Sequence, residues 1–413
     1  MTVHVIGAGL AGLSAAVALA GRGVRVVVSE AAKQAGGRCR SYHDSLLDMT
    51  IDNGNHLVLS GNGAVDRYLR DIGARDRLVG PGRAEFHFVD FQLGRRWTLR
   101  PDDGPVPWWI FDAARRVPGT SVRDYLVLLT LMRRHPGRRI GEIVRRDTVL
   151  WEKFLRPVLL SALNTAPEEA SADLAGAIVR ETLAKGGRHM EPLVASPSLA
   201  AAFVDPAIDR LRGAGADIRL GRSLRAVRFA DGRAVGLAFD EGDETVGAED
   251  CVVLAVPPWT AQKLLPGTDA PDTFRAILNA HFRIVPPSHA KPMVGVIGGT
   301  VEWIFALHDR LSVTVSAADH LMDTDTDDLT LLLWRDVSAV HDLTGPVPPC
   351  RIVKEKRATF AATPAQDARR PAARTQWANL FLAGDWTDTG LPATIEGALR
   401  SGNTAAGLVR GSA

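Results

Sequence analysis

Three glycines, Gly7, Gly9 and Gly12, stand at the spacing G-x-G-x-x-G, and an acid, Glu30, follows eighteen residues after the last of them. Such a loop cradles a pyrophosphate when a strand leads into it and a helix leads out. Residues 2–6 (TVHVI) read as a short buried strand, residues 13–22 as a helix stopped by Gly23, and residues 25–29 (RVVVS) as a second strand. Gly7 then makes the tight turn, Gly9 admits phosphate to the backbone, and Gly12 lets helix and strand pack closely. The helix N-terminus, with the backbone of Leu10 and Ala11, faces the phosphates. Glu30 is placed to bind ribose hydroxyls. The pattern implies a bound dinucleotide. A second glycine pair, Gly36-Gly37, carries Arg38, a cation suited to neutralise a diphosphate.

The two glycine clusters together resemble the N-terminal fingerprint of the flavin-containing amine oxidase and carotenoid desaturase superfamily, in which the dinucleotide is FAD. A second nucleotide domain is not expected: "GVIGGT" (residues 295–300) lacks the spacing, and "GAG" (residues 213–215) precedes a strand. FAD is long, so something must hold its flavin end. "LFLAGD" (residues 380–385) reads as a buried strand ending at Asp385, which suits ribityl hydroxyls. Residues 394–407 read as a helix rich in small residues, its N-terminus aimed at the flavin edge where negative charge collects on reduction. The resemblance implies flavin contacts at Gly384, Asp385, Pro392, Thr394 and Ile395. It also implies a backbone contact to adenine near Leu224, and cofactor contacts from Asn53, Gly54 and Asn55 in the "DNGNH" segment.

The implied fold is α/β, a Rossmann-like FAD-binding domain of discontinuous segments with a second, mixed α+β substrate domain. Residues 1–75, 206–270 and 371–413 would be the three FAD-binding segments. Residues 76–205 are expected to be mainly helical, facing substrate and membrane, and 271–370 to form the substrate-domain sheet. In that sheet "VGVIGG", "LSVTVSA" and "LTLLLW" read as strands, and "DTDTDD" (residues 323–328) as a solvated turn.

Four stretches narrow the resemblance. "DNGNHLVLSG" (residues 52–61), "LNTAPEEASA" (residues 163–172), "NAHFR" (residues 279–283) and "IVKEKRATFAATPA" (residues 352–365) resemble the squalene-associated FAD-dependent enzymes, the hydroxysqualene dehydroxylases of hopanoid biosynthesis. The activity implied is reductive removal of an allylic hydroxyl, giving squalene. Carotenoid or phytoene desaturation and amine oxidation are the alternatives, and a non-catalytic FAD-binding scaffold is a rival of another class. Hydroxide leaves poorly, so an acid or hydrogen-bond donor is required. His56 is the first candidate, its other reading being a structural histidine bonded to backbone. Glu168 and Glu169 read either as a proton source or as a helix start, and His281 and Arg283 either as cavity lining or as plain strand positions. Bound FAD is expected to be non-covalent, since Cys350 lies 35 residues before Asp385. Electrons are expected from free reduced flavin, NADPH or a reductase.

A net charge of +2 on 413 residues makes no case for nucleic acid. Three scattered cysteines argue against a disulfide framework and fit a reducing compartment. The histidines show no metal-ligand spacing, so no metal is expected. No run of 18 uncharged apolar residues marks a membrane-spanning helix. Between residues 114 and 147, however, nine arginines face three acids, just after "PWWIF" (residues 107–111). Basic charge beside tryptophan suits an anionic lipid surface. The other reading is a solvated helix face beside a core cluster. The expected location is cytoplasmic, with the inner face of the membrane as the place of contact on the lipid reading.

Overall fold

The computed structural model describes residues 1–409. The end of the third expected segment, 410–413, lies outside the described residues. β1 (Thr2–Ile6), α1 (Leu10–Ala20) and β2 (Arg25–Glu30) form the strand–turn–helix–strand unit, with the helix starting directly after Gly9. The chain then leaves this layer for β3 (Phe86–Asp90), β4 (Arg95–Leu99) and a helical stretch that includes α2 (Arg156–Leu163). It returns with β5 (Asp217–Leu220) and β6 (Cys251–Leu254). It leaves again for β7 (Phe274–Phe282), β8 (Met293–Ile297), β9 (Trp303–Ala306), β10 (Leu311–Val315), α3 (Thr326–His341) and β11 (Cys350–Phe360). β12 (Leu380–Leu382) and α4 (Ile395–Leu408) bring it back.

The first sheet is wholly parallel, in the order β5-β2-β1-β6-β12. Covered on both faces, its central strands read as continuous apolar runs. Helices α1 and α4, near opposite ends of the sequence, pack backbone against backbone. A Cβ placed on Gly402 would lie 2.2 Å from the Ala11 carbonyl oxygen, so only glycine permits this approach. The Ser14 hydroxyl donates to the Leu399 carbonyl at 2.9 Å, and Arg22 donates to the Ala406 carbonyl at 2.6 Å.

The second sheet runs β11-β7-β10-β9-β8-β3-β4 and is antiparallel except where β8 meets β3. Leu278, Ala280 and Phe282 of β7 join a core with Leu329, Leu333 and Val337 of α3. The alternate residues Asn279 and His281 face the other way, toward residues 52–55. Two strands, β3 and β4, come from the stretch expected to be mainly helical.

Other local expectations need correction. "LTLLLW" is helix, not strand: Asp325 caps α3 by accepting the Asp327 N–H at 2.8 Å, and Asp327 and Asp328 favour its dipole. The acidic run is therefore a helix start. Glu168 and Glu169, conversely, lie in a turn before a helix that Ser171 caps.

Gly402→Ala is expected to cost about 2 kcal/mol of stability, read from the denaturant midpoint, because the new methyl meets backbone. Gly407→Ala is the control, since its Cβ would meet nothing within 4 Å. Equal midpoints for the two variants would contradict the close helix contact.

Candidate functional site

Gly9 is the N-cap of α1, and no side chain caps that helix. A Cβ on Gly12 would lie 1.9 Å from the Gly7 carbonyl oxygen, so packing alone demands glycine there. A Cβ on Gly9 would meet nothing within 4 Å. The space over Gly9, in front of the unpaired N–H groups of the first turn, is the cradle an anionic group needs. The second glycine pair folds against it: Gly36 donates its N–H to the Ala8 carbonyl at 2.8 Å and bridges to Gly9. Glu30 accepts the N–H groups of Ala8 (2.7 Å) and Ala32 (2.9 Å), bracing the loop. The Arg222 N–H donates to the Glu30 carbonyl at 2.8 Å. Leu224, two residues on, begins the strand Leu224–Ala230. These residues fit a dinucleotide.

Arg38 joins the two ends of the chain. Its Nη2 donates to both carboxylate oxygens of Asp385 at 2.7 Å, and Nη1 donates to the Ala358 carbonyl at 2.5 Å. Asp385 is buried while the Arg38 side chain as a whole is 43% exposed. Asp385 follows β12, where the Gly384 N–H donates to the Ser401 hydroxyl at 2.6 Å. Trp386, the aromatic beside this loop, is buried and donates Nε1–H to the Val256 carbonyl at 3.0 Å. After Pro392, Thr394 caps α4 by accepting the Gly397 N–H at 3.0 Å, which leaves the N–H groups at Ile395 and Glu396 pointing out of the helix start.

The segment 53–56 runs between the two sheets. Asn53 donates to Glu355 of β11 at 3.2 Å. Gly54 rests on the Asn279 amide, which a Cβ would meet at 2.9 Å. Asn55 donates its N–H to Asn279 Oδ1 (3.3 Å) and its amide to the Val313 carbonyl and Thr314 Oγ1 (both 3.1 Å). His56 therefore stands beside Arg38, and burial together with that guanidinium pushes its pKa down to about 4. A ring held neutral in this way still carries one N–H, so it can donate a hydrogen bond.

His281 does not line a cavity. It is fully buried, its Nε2–H donates to the Asp52 carbonyl at 3.1 Å, and its Nδ1 accepts from the Ser312 hydroxyl. It braces the segment that holds Asn53 to Asn55. Arg283 is exposed and borders a surface groove with Asp48 and Met49. Glu168 is paired with Arg156 at 3.0 Å. Sequence reading passed over Asn279 and Glu355. Their signal was present: Asn279 and His281 alternate with apolar residues on one strand, so both polar side chains must share one face.

The family model for flavin containing amine oxidoreductases matches residues 10–290 and 296–410 of this chain. A hydroxysqualene dehydroxylase from Rhodopseudomonas palustris is 51% identical over 99% of the chain and 98% of that protein. One from Zymomonas mobilis is 47% identical, covering 98% of each. Among solved structures, an oxidoreductase from Methanosarcina mazei superposes with a TM-score of 0.76 at 15% identity, covering 98% of this chain and 99% of that one.

Burial, with Arg310 as the next cause, pushes the His281 pKa down to about 4 from an ordinary 6.5. The unfolded chain binds a proton in that window and the folded chain does not, so stability is full above pH 6.5 and falls toward pH 4. Through this residue alone the loss is expected to reach about 3 kcal/mol. Denaturant titrations at several pH values measure it, and His281→Gln should flatten the slope. An unchanged slope would contradict the brace.

Proposed function

The chain belongs to the family of flavin containing amine oxidoreductases, and we propose that within it the protein is an FAD-dependent hydroxysqualene dehydroxylase that removes an allylic hydroxyl and yields squalene. The observation that carries this reading is identity near one half over essentially the whole length of proteins with that name. The cofactor is FAD, held without a covalent bond. The open glycine cradle at Gly9, the bracing of Glu30, and the Arg38–Asp385 pair support an extended dinucleotide lying across all three segments. Gly7, Gly12, Leu10, Ala11, Gly36 and Gly37 shape its diphosphate end, and Asn53, Gly54, Asn55, Gly384, Pro392, Thr394 and Ile395 its flavin end. Reduced flavin, when bound, supplies the hydride. Its electrons come from NADPH or a reductase. "GVIGGT" supports an outside donor, since it forms the end of β8 and the turn that follows and not a helix start.

The chain's own task is to hold the allylic alcohol, help hydroxide depart and keep water from the cationic carbon. Phe88 and Trp97 stack at 4.3 Å, and Trp303 tilts against Phe88 at 5.7 Å, giving the second sheet an apolar wall that suits a long isoprenoid. His56 contributes as a neutral hydrogen-bond partner.

The protein also docks on the cytoplasmic face of a membrane through residues 106–134. Among the described residues no helix is long and apolar enough to cross a membrane. Trp108 (65% exposed), Phe111 (61%), Leu126 (59%) and Leu129 (57%) point into solvent. Trp109 meets Tyr125 edge-on at 5.2 Å and joins their two elements into one face. Exposed Arg123, Arg133 and Arg134 flank it. Aromatic anchors ringed by arginine suit anionic lipid.

Two outcomes are expected. Anaerobically reduced holoenzyme mixed with hydroxysqualene should regain its oxidised flavin absorbance with stoichiometric squalene. No reoxidation would reject the dehydroxylase reading, and oxidised enzyme adding double bonds to a polyene would replace it with desaturation. The protein should sediment with phosphatidylglycerol vesicles at low salt, and Trp108→Ser with Leu126→Ser should reduce binding at least about tenfold, the loss of one buried aromatic anchor or more. Wild-type protein left in the supernatant would reject the docking face.

A further inference from the structure

Six strands of the second sheet place one residue each in a single row. Asn279 of β7, Thr314 of β10, Trp303 of β9, Gly295 of β8, Phe88 of β3 and Trp97 of β4 are successive cross-strand partners. Partners in register share a face of the sheet. The whole row therefore lies on the face of Asn279, the one turned toward residues 52–55. It spans five strand spacings, about 24 Å. None of its six residues is charged.

One end of the row is polar and tied to the candidate site. Thr314 Oγ1 donates to Asn279 Oδ1 at 2.9 Å and accepts the Asn55 amide at 3.1 Å, and His56 is next in the chain. The other end is aromatic. Trp303, one strand from Thr314, is the row's ring nearest the polar end. Its Nε1–H donates to the Ser161 hydroxyl of α2 at 2.5 Å, and that hydroxyl donates to the Pro157 carbonyl at 2.9 Å. Gly295 makes room for the rings: a Cβ there would lie 2.7 Å from Phe88 and 3.2 Å from Cη2 of Trp303. Phe88 is sealed, whereas Trp303 stays half-buried on the central strand of seven, on the face that α2 covers. Both edges of the sheet are three strands away. The open part of the Trp303 ring therefore faces the cleft between sheet and helix. Thr314, Ser161, Asn55 and His56 are half-buried in the same way.

We propose that Trp303 presents its indole face to the allylic carbon of the substrate and stabilises the positive charge that forms there as the hydroxyl departs. The role rests on the dehydroxylase reading and follows from the chemistry of the row. A developing cation is stabilised by negative potential fixed in place beforehand. Among aromatic side chains the tryptophan ring supplies the most, through its quadrupole, and exclusion of water strengthens the attraction. A carboxylate in that place would also attract the cation, but it would capture it as an ester. The indole forms no bond to the carbon and takes no proton from it, so the charge persists until hydride arrives. The hydrogen bond to Ser161 fixes the ring's orientation. Trp97, three strands further and about 14 Å away, meets the hydrocarbon tail instead.

The test separates charge from bulk. Oxidised holoenzyme is titrated with a tertiary ammonium analogue that carries nitrogen in place of the carbinol carbon, and with squalene, each followed by perturbation of the flavin spectrum. Wild type should bind the ammonium analogue more tightly than squalene. Trp303→Leu should lower that preference about tenfold, while Trp303→Phe, which keeps an aromatic face, should retain at least about a third of it. In anaerobic single turnover with hydroxysqualene, reoxidation should slow about tenfold or more in Trp303→Leu and less in Trp303→Phe. An unchanged preference in Trp303→Leu, or equal losses in the two variants, overturns the assignment. If neither variant folds, a wild type that binds the ammonium analogue no better than squalene overturns it. Failure of wild-type reoxidation rejects the dehydroxylase reading itself, whereas a normal wild-type rate with an unchanged preference in Trp303→Leu rejects Trp303 alone.

Discussion

The contact between α1 and α4 is the constraint on which the rest of this structure depends. Gly402 sits where any side chain would strike the Ala11 carbonyl, and Ser14 and Arg22 are tied to the backbone of the last helix. This contact sets the start of the first helix against the body of the last. Once they are set, β12 lies at the edge of the parallel sheet and Asp385 arrives opposite Arg38. The ion pair follows from the helix packing and does not create it. Burying the Asp385 carboxylate offsets much of what its pairing with Arg38 gains, while the helix contact leaves no room for a side chain at Gly402.

The second sheet is coupled to the first through a handful of polar side chains. Asn279 carries most of this: its one oxygen receives Asn55 and Thr314, and its amide supports Gly54. His281, one alternation further, holds the Asp52 carbonyl. The same strand shows Leu278, Ala280 and Phe282 to the core behind. Period-two alternation thus divides β7 between stability on one face and site geometry on the other.

Much of this was legible in the sequence because it rests on local rules. The glycine loop needs a tight turn, a close approach and an acid at a fixed distance, and each leaves its own residue. The final helix announced itself by Thr394 and small residues. What misled was also local. Leu329 to Trp334 is apolar enough for a strand, yet Asp325 and the acids after it start a helix there. Glu168 and Glu169 carry charges that suit a helix start, but Ser171 takes that place.

One consequence concerns the order in which the molecule is made. The parallel sheet takes its strands from residues 2–6, 25–30, 217–220, 251–254 and 380–382, and its last strand is an outer one. A growing chain can pair the first four before the fifth exists. Until β12 and α4 emerge, Arg38 has no Asp385 and α1 has no partner for its open face. Such long-range closure is slow to form. The two halves of the Arg38–Asp385 pair are separated by 347 positions, so the ribosome must add all of them before the pair can close.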